Sequence, residues 1–167
     1  MGLEMRYGAV GLLAVASLAL MGLRAKLGSG SGKPMPEFTM KTVDGKDFSN
    51  KDIQGRVSVF YVSGEGCGAC EVAGPAVTRI FDSYPKKRVA VITGDAWNDT
   101  DSGATNLAKK LGVPAVVGIK QVQSQFGVRS VPFFVVVDRQ GTVVFAESGF
   151  RGGQPIEDAV NQALVAK

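Results

Sequence analysis

The chain has 167 residues, of which 45% are hydrophobic and 20% are charged, a size and balance typical of one globular domain with a short appendage. Its formal net charge of +4 is concentrated in the first 33 residues, so the rest of the chain is nearly neutral and no nucleic-acid partner is predicted. The chain contains no histidine, which excludes serine triads, Cys-His pairs and histidine-ligated metal sites.

An uncharged apolar segment covers residues 7–23 and lies between Arg6 and the basic pair Arg24 and Lys26. Seventeen helical residues reach about 26 Å, the short end of what spans a hydrocarbon core of about 30 Å. A cleavable signal peptide is the alternative, but its small-x-small pattern, at residues 14–16, lies inside the apolar segment rather than after it. We therefore predict an N-terminal transmembrane helix that remains as a membrane anchor.

The remaining organisation follows from composition. Residues 1–26 are predicted as the anchor or uncleaved signal with short flanks, and residues 27–35, rich in glycine and serine, as a flexible linker. Residues 36–167 are predicted as the folded domain.

Short apolar segments alternate with helical patterns through this domain, which predicts an α/β fold with a mixed β-sheet flanked by helices. The predicted strands are residues 57–62, 89–93, 133–137 and 142–146, with a further hairpin around residues 43–45. The predicted helices are residues 70–83, 102–111, 120–126 and 156–166.

The two cysteines, Cys67 and Cys70, stand two residues apart directly after the first long strand and at the start of a helix. The unpaired N–H groups and positive dipole end of a helix N-terminus favour thiolate over thiol, so Cys67 is predicted as a nucleophile and Cys70 as the thiol that releases a mixed disulfide. A zinc site is not predicted, because zinc needs four ligands and the chain has no further cysteine and no histidine. The alternative is that both cysteines are buried and chemically inert. No metal and no cofactor is predicted.

A second feature is Val131-Pro132, directly before the strand at residues 133–137. A proline is tolerated only at the margin of a strand, and an X-Pro bond at such a bend is a candidate for the cis form.

Together these features resemble the thioredoxin superfamily: the CxxC after a core strand, Pro75 within the following helix, Val131-Pro132 before a late strand, and a hairpin at residues 138–141. Within it the chain is most similar to the membrane-anchored TlpA/ResA type of thiol-disulfide oxidoreductase. Residues 36–39, the turn at residues 44–46, the segment 105–128 and the N-terminal anchor support this similarity. The resemblance covers about residues 36–150.

The resemblance implies a nucleophilic Cys67, a resolving Cys70 and a cis Pro132 that shapes a substrate groove. The predicted groove residues are Pro132, Val131, Gly66, Gly68 and Ala69. It also implies protein thiols and disulfides as partners, apocytochromes among them, and a domain on the periplasmic or equivalent side. The basic residues after residue 23 favour the cytoplasmic side instead, and the prediction follows the resemblance.

The chain departs from the family at three positions. Gly66 replaces the usual tryptophan before the first cysteine, Tyr61 replaces the buried aspartate of thioredoxins, and Ala73 replaces a glutamate common in TlpA-like members. Glu65 and Glu71 are near enough in sequence to substitute as proton acceptors, with Glu65 as the predicted one, and a solvated surface acid is the alternative for either residue. Trp97 is interpreted either as a partner contact or as a packing residue.

The predicted function is therefore that of a membrane-tethered thiol-disulfide oxidoreductase that exchanges disulfides with protein substrates through Cys67 and Cys70, with reduction of the substrate favoured over oxidation as the predicted direction. The alternative is a thioredoxin-fold accessory or structural subunit of a membrane complex with little or no redox turnover. Peroxiredoxin activity is not predicted, because no Pro-x-x-x-Thr-x-x-Cys motif occurs.

Overall fold

The computed structural model describes residues 32–166. Seven strands and five helices alternate along this part of the chain. The strands are β1 (Thr39–Thr42), β2 (Asp47–Ser49), β3 (Val57–Ser63), β4 (Val89–Asp95), β5 (Val116–Val117), β6 (Phe133–Val137) and β7 (Val143–Ser148). The helices are α1 (Asn50–Ile53), α2 (Gly68–Ser83), α3 (Asp101–Leu111), α4 (Lys120–Gln125) and α5 (Gln154–Val165).

Four strands form the central sheet, in the order β4-β3-β6-β7, with β3 parallel to β4 and antiparallel to β6. A smaller three-stranded sheet has the order β2-β1-β5. Every residue of β3 and β6 is buried, which explains why both strands are almost continuously apolar in sequence.

Two hydrophobic cores lie on opposite faces of the central sheet, because side chains alternate along each strand. In β3, Val59 and Tyr61 pack into the core that contains α2, α3 and α5, whereas Phe60 and Val62 pack into the core that contains α4 and the small sheet. The predicted mixed sheet flanked by helices is therefore present, and helices lie on both of its faces.

The sheet brings three connecting segments to one edge. Strands β3 and β4 are parallel and in register from Val57↔Val89 to Ser63↔Asp95, so both end at the same edge. Antiparallel β6 begins there, where Phe133 pairs with Val62. The loop that leads to Cys67, the loop after Asp95 and the segment before Phe133 consequently meet.

The folded domain begins earlier than the predicted boundary at residue 36. Gly32 N–H donates to the Val143 carbonyl at 2.7 Å, Pro34 forms an antiparallel bridge with Thr142, and Met35 is 5% exposed. Residues 32–35 are thus part of the domain rather than of a flexible linker, because Met35 is an apolar side chain that packs into the core. The predicted anchor and residues 27–31 of the predicted linker lie outside the described residues.

Within residues 32–166, no helix is both long enough and apolar enough to cross a membrane.

Candidate functional site

The predicted redox pair lies at the N-terminus of α2. Cys67 is the N-cap residue, and its Sγ accepts a hydrogen bond from the Cys70 backbone N–H at 3.1 Å. The two residues are joined by a disulfide, with their Cα atoms 5.2 Å apart, and both are buried. This placement puts the sulfur of Cys67 against the N–H groups and the positive dipole end of the helix.

A glycine-rich loop delivers Cys67 from β3 to α2. Gly66 adopts φ +74°, a left-handed conformation that favours glycine, and the Cys67 N–H donates to the Gly64 carbonyl at 3.1 Å. Gly66, Gly68 and Ala69 are exposed around the buried disulfide. Around the sulfurs, these three predicted groove residues therefore present backbone and one methyl group rather than large side chains.

The other two predicted groove residues lie beside Cys67. The Val131-Pro132 peptide bond is cis, as the resemblance implies, and the Val131 carbonyl oxygen is 4.0 Å from Cys67 Sγ. Pro132 is buried and Val131 is half-buried. The fold thus brings together two segments that are 64 residues apart in sequence.

Tyr61 occupies the position at which thioredoxins have a buried aspartate. Its side chain is 1% exposed, and its hydroxyl donates to the Cys70 carbonyl oxygen at 3.0 Å. Burial, reinforced by the negative charges of Glu71 and Asp95, raises the pKa of Tyr61 to about 12 despite a hydrogen bond with Ser63 that lowers it. Tyr61 therefore remains a protonated donor at neutral pH and cannot accept a proton from Cys70.

Three carboxylates lie around the loop and share a small cavity of about 150 Å³. Glu71 forms an ion pair with Lys110. Asp95 is 6% exposed, and its Oδ1 accepts the backbone N–H groups of Trp97 and Asn98. The exposed Glu65 accepts one hydrogen bond, from Asn98 Nδ2 at 2.9 Å.

A larger cleft of about 620 Å³ lies on the other side of Cys70, between α2 and α3. Its lining includes Tyr61, Cys70, Glu71, Pro75 and Lys110. Cys70 therefore borders an open space even though its own surface is almost fully buried.

The loop after β4 was not assigned to the site from sequence, apart from the open interpretation of Trp97. The structure places Asp95 and Asn98 against the cysteine loop, and Trp97, 59% exposed, against Gly64. The sequence carries a signal for the position of Asp95, since an acid at the end of an apolar strand lies at the carboxyl edge of the sheet, but none for the contact of Trp97 with Gly64. Within the described residues no cluster of three or more potential metal ligands occurs.

Comparison with known proteins agrees with this geometry. Residues 31–146 match the model of the AhpC/TSA family. The thiol-disulfide oxidoreductase ResA of Bacillus thuringiensis (strain Al Hakam) is 29% identical over 116 residues, covering 68% of this chain and 66% of that protein. The ResA of Bacillus anthracis matches to the same extent. The predicted enzyme class is thus that of these relatives.

Two solved structures show the same fold. A putative thiol:disulfide interchange protein DsbE from Chlorobium tepidum superposes with a TM-score of 0.70 at 22% identity, covering 80% of this chain and 97% of that one. A thioredoxin-like superfamily protein gives a TM-score of 0.67 at 15% identity, covering 81% and 98%. The predicted thioredoxin-like fold is confirmed, and the chain belongs to the AhpC/TSA family as a thioredoxin-like member similar to the ResA thiol-disulfide oxidoreductases.

Proposed function

We propose that this chain is a membrane-tethered thiol-disulfide oxidoreductase that reduces disulfides of extracytoplasmic proteins through Cys67 and Cys70. One observation carries the proposal: the Cys67 sulfur caps α2, accepts the Cys70 N–H and lies 4.0 Å from the Val131 carbonyl. A sulfur in this position receives stabilisation as a thiolate from the helix, and it lies at the junction of all three loops.

The exchange proceeds in two balanced steps from the reduced pair. The Cys67 thiolate attacks one sulfur of a substrate disulfide, which forms a mixed disulfide and releases the other substrate sulfur as a thiolate. The Cys70 thiolate then attacks Cys67 Sγ, which releases the second substrate thiolate and forms the Cys67–Cys70 disulfide. Two electrons pass to the substrate, and a dithiol protein upstream must return them.

The second step requires that Cys70 lose its proton. Tyr61 cannot accept this proton, because its hydroxyl is protonated and donates to the Cys70 carbonyl. Glu71 is paired with Lys110. Asp95 already accepts the backbone N–H groups of Trp97 and Asn98. Glu65, whose exposed carboxylate accepts a single side-chain hydrogen bond, is therefore the proton acceptor that we propose.

The tether and the side of the membrane belong to the same proposal. The apolar segment at residues 7–23 supports an anchor, and the similarity to ResA proteins supports a domain in the periplasm or its equivalent. A fusion of alkaline phosphatase to the C-terminus tests both, because that enzyme is active only where disulfides form. Activity in the membrane fraction is expected, whereas an inactive fusion would place the domain in the cytoplasm.

The substrates that we propose are disulfides of extracytoplasmic proteins, with apocytochromes as one class. The exposed glycines and Ala69 around the sulfurs support a protein substrate, because an extended backbone can approach them closely.

The deciding experiment is the reduction potential of the Cys67–Cys70 pair in the full chain in detergent micelles. Equilibration in dithiothreitol or glutathione buffers, followed by thiol trapping, should give a two-electron couple near about −270 mV, the value of a reductant, rather than about −120 mV. Cys67→Ser should abolish substrate reduction, and Cys70→Ser should accumulate the mixed disulfide.

A pair that does not titrate would overturn this function. Tyr61 in place of the buried aspartate and Gly66 in place of the tryptophan would then indicate an accessory subunit of a membrane complex. Such a subunit would remain bound to its complex in both cysteine variants.

A further inference from the structure

Trp97 lies against the cysteine loop although it belongs to a different loop, the one after β4. A methyl group at Gly64 would lie 2.6 Å from the indole Cδ2 and 2.8 Å from Cε3, so the ring is packed directly on the glycine backbone. Gly64 in turn accepts the Cys67 N–H. The indole is still 59% exposed, which places a large apolar surface beside the redox pair.

The loop that carries Trp97 is held at several points. Ala96 N–H donates to the Ser63 carbonyl at 2.9 Å, Asn98 Nδ2 donates to Glu65, and Asp95 accepts the Trp97 N–H. The position of the indole is therefore fixed by hydrogen bonds to the cysteine loop and within its own turn, rather than by packing of the ring in a core.

Trp97 also forms one wall of a cleft of about 580 Å³. The opposite wall comes from α4 and the segment before Pro132, and the lining residues are Ala96, Trp97, Lys120, Gln123, Ser124, Val128 and Arg129. Asp99 joins the two walls, because its carboxylate accepts the backbone N–H groups of Gly118 at 2.6 Å and Lys120 at 3.1 Å. The cleft is thus formed before any partner binds, which lowers the entropic cost of binding.

Both walls lead to Cys67. One is connected through Gly64, and the other runs from Arg129 to Val131, whose carbonyl lies 4.0 Å from Cys67 Sγ. A polypeptide joined to Cys67 as a mixed disulfide can therefore extend into this cleft.

The net charge of the cleft is positive, because the lining side chains Lys120 and Arg129 outnumber the single Asp99 carboxylate that joins the walls. Lys120 and Arg129 are exposed, and neither forms an ion pair within residues 32–166. The described lining contains no carboxylate side chain. An occupant with an acidic side chain is electrostatically complementary to it.

We propose that Trp97, with Lys120 and Arg129, forms a substrate-recognition subsite for an extended cysteine-containing segment that carries an aromatic or aliphatic side chain and an acidic side chain beside its cysteine. The inference rests on the proposed thiol-disulfide exchange. The residue directly before Cys67 is Gly66, which has no side chain to contact a substrate. Trp97 supplies an aromatic surface beside the cysteine loop from the loop after β4 instead. Tryptophan is suited to this role because it offers a large contact area with few rotatable bonds.

The test compares reduction of three disulfides by the full chain in micelles. The first is a disulfide-linked peptide with Phe and Asp beside its cysteine, the second has Ala and Asn at those positions, and the third is 2-hydroxyethyl disulfide, which is too small to reach the cleft. Trp97→Ala should lower kcat/KM for the first peptide, relative to the small disulfide, about 5- to 10-fold, and Trp97→Phe about 2-fold. Gly64→Ala should act like Trp97→Ala, since its methyl group displaces the indole.

The cations are tested by Arg129→Glu, which should reduce the preference for the Phe/Asp peptide over the Ala/Asn peptide, because the contribution of the Asp is lost while that of the Phe remains. The matched control is Lys87→Glu, the same change of charge at an exposed residue before the start of β4, at the opposite end of the strand from Asp95. The control should retain the preference.

Fluorescence provides a readout that a purely structural role would not change. Trp97 is the single tryptophan of the chain, so its emission should shift to the blue when Cys70→Ser holds the first peptide on Cys67, and not when it holds 2-mercaptoethanol. If the wild type reduces none of the three disulfides, the proposed function itself fails. If it reduces them but Trp97→Ala leaves their ratio unchanged and the emission does not shift, this inference alone is overturned.

Discussion

The hydroxyl of Tyr61 donates to the carbonyl oxygen of Cys70 at 3.0 Å, so the central strand β3 holds the first turn of the helix that carries both cysteines. The phenol is buried, and its pKa is raised from the ordinary value of 10.0 to about 12 mainly by that burial. A position that carries a carboxylate in thioredoxins here carries a neutral hydrogen-bond donor, whose role is to fix the helix.

Tyr61 should make the protein lose stability at high pH. In the unfolded chain the phenol ionises near pH 10, whereas in the folded protein it ionises only near pH 12, so the unfolded state releases its proton first. The contribution of the protonated phenol to the free energy of unfolding is complete below about pH 10. It should be lost between about pH 10 and 12, which lowers the free energy of unfolding by on the order of 2 kcal/mol. Urea unfolding from pH 8 to 12 measures it.

Tyr61→Phe separates this effect from the titration of lysines in the same range. The variant should be less stable at pH 8 by about 1 kcal/mol, because the hydrogen bond to Cys70 is lost, but should lose less stability between pH 10 and 12 than the wild type. Tyr84→Phe is the comparison: burial, with the charge of Glu157, raises the pKa of the half-buried Tyr84 as well, so this variant should also lose less stability than the wild type above pH 10, but by a smaller margin than Tyr61→Phe. Equal losses in the wild type and Tyr61→Phe would contradict the assignment.

Gly103→Ala should destabilise the protein, although alanine is normally favoured over glycine in a helix by about 1 kcal/mol. Gly103 lies in the first turn of α3, and a Cβ there would lie 1.9 Å from the Asn98 carbonyl oxygen. That oxygen belongs to the backbone, so the whole loop must shift, at a cost of about 1–3 kcal/mol. Thermal or urea unfolding measures the difference.

The matched control for this change is Gly68→Ala, at the first residue of α2, where a Cβ meets nothing within 4 Å. It should be neutral or slightly stabilising. A stabilising Gly103→Ala would show that the loop after β4 can move away from α3, and the rigid placement of Trp97 would then be wrong.

Met35→Ala tests whether the folded domain includes residues 32–35. Met35 is 5% exposed in the core that also contains Phe38 and Met40, so its truncation should cost about 2–4 kcal/mol. Val43→Ala, at a side chain that is 48% exposed, should change the free energy of unfolding by less than about 0.5 kcal/mol. Equal effects of the two substitutions on the free energy of unfolding would mean that residues 32–35 belong to the linker and not to the folded domain.

The sequence predicted the centre of the main sheet well because β3 and β6 are buried on both faces. Residues 57–62 and 133–137 are almost wholly apolar, and the structure has strands at Val57–Ser63 and Phe133–Val137. The two-residue β5 and four-residue α1 were not predicted, since elements this short depend on tertiary partners rather than on periodicity. Met35 was missed because one apolar residue between Pro34 and Pro36 resembles a linker.

The candidate site also has parts that the sequence predicts and parts that depend on the assembled fold. The cysteine pair and Val131-Pro132 have local sequence signals, and the structure places them in contact. The contact between Trp97 and Gly64 has no such signal, because it depends on the parallel register that pairs Ser63 with Asp95. That register is a property of the assembled sheet.

Glu65→Gln should slow the resolving step if Glu65 takes the proton from Cys70. The substitution removes the negative charge while keeping the length of the side chain and an oxygen that can accept from Asn98 Nδ2. Attack by Cys67 on a substrate disulfide should be unaffected, whereas release of the reduced substrate from the mixed disulfide should slow at least about 10-fold, since general-base help contributes roughly 10²- to 10⁴-fold. Quenched-flow thiol trapping separates these two rates. Glu37→Gln, at an exposed glutamate before β1, is the matched control and should leave both rates unchanged. A release rate equal to that of the wild type in Glu65→Gln would instead mean that solvent accepts the proton.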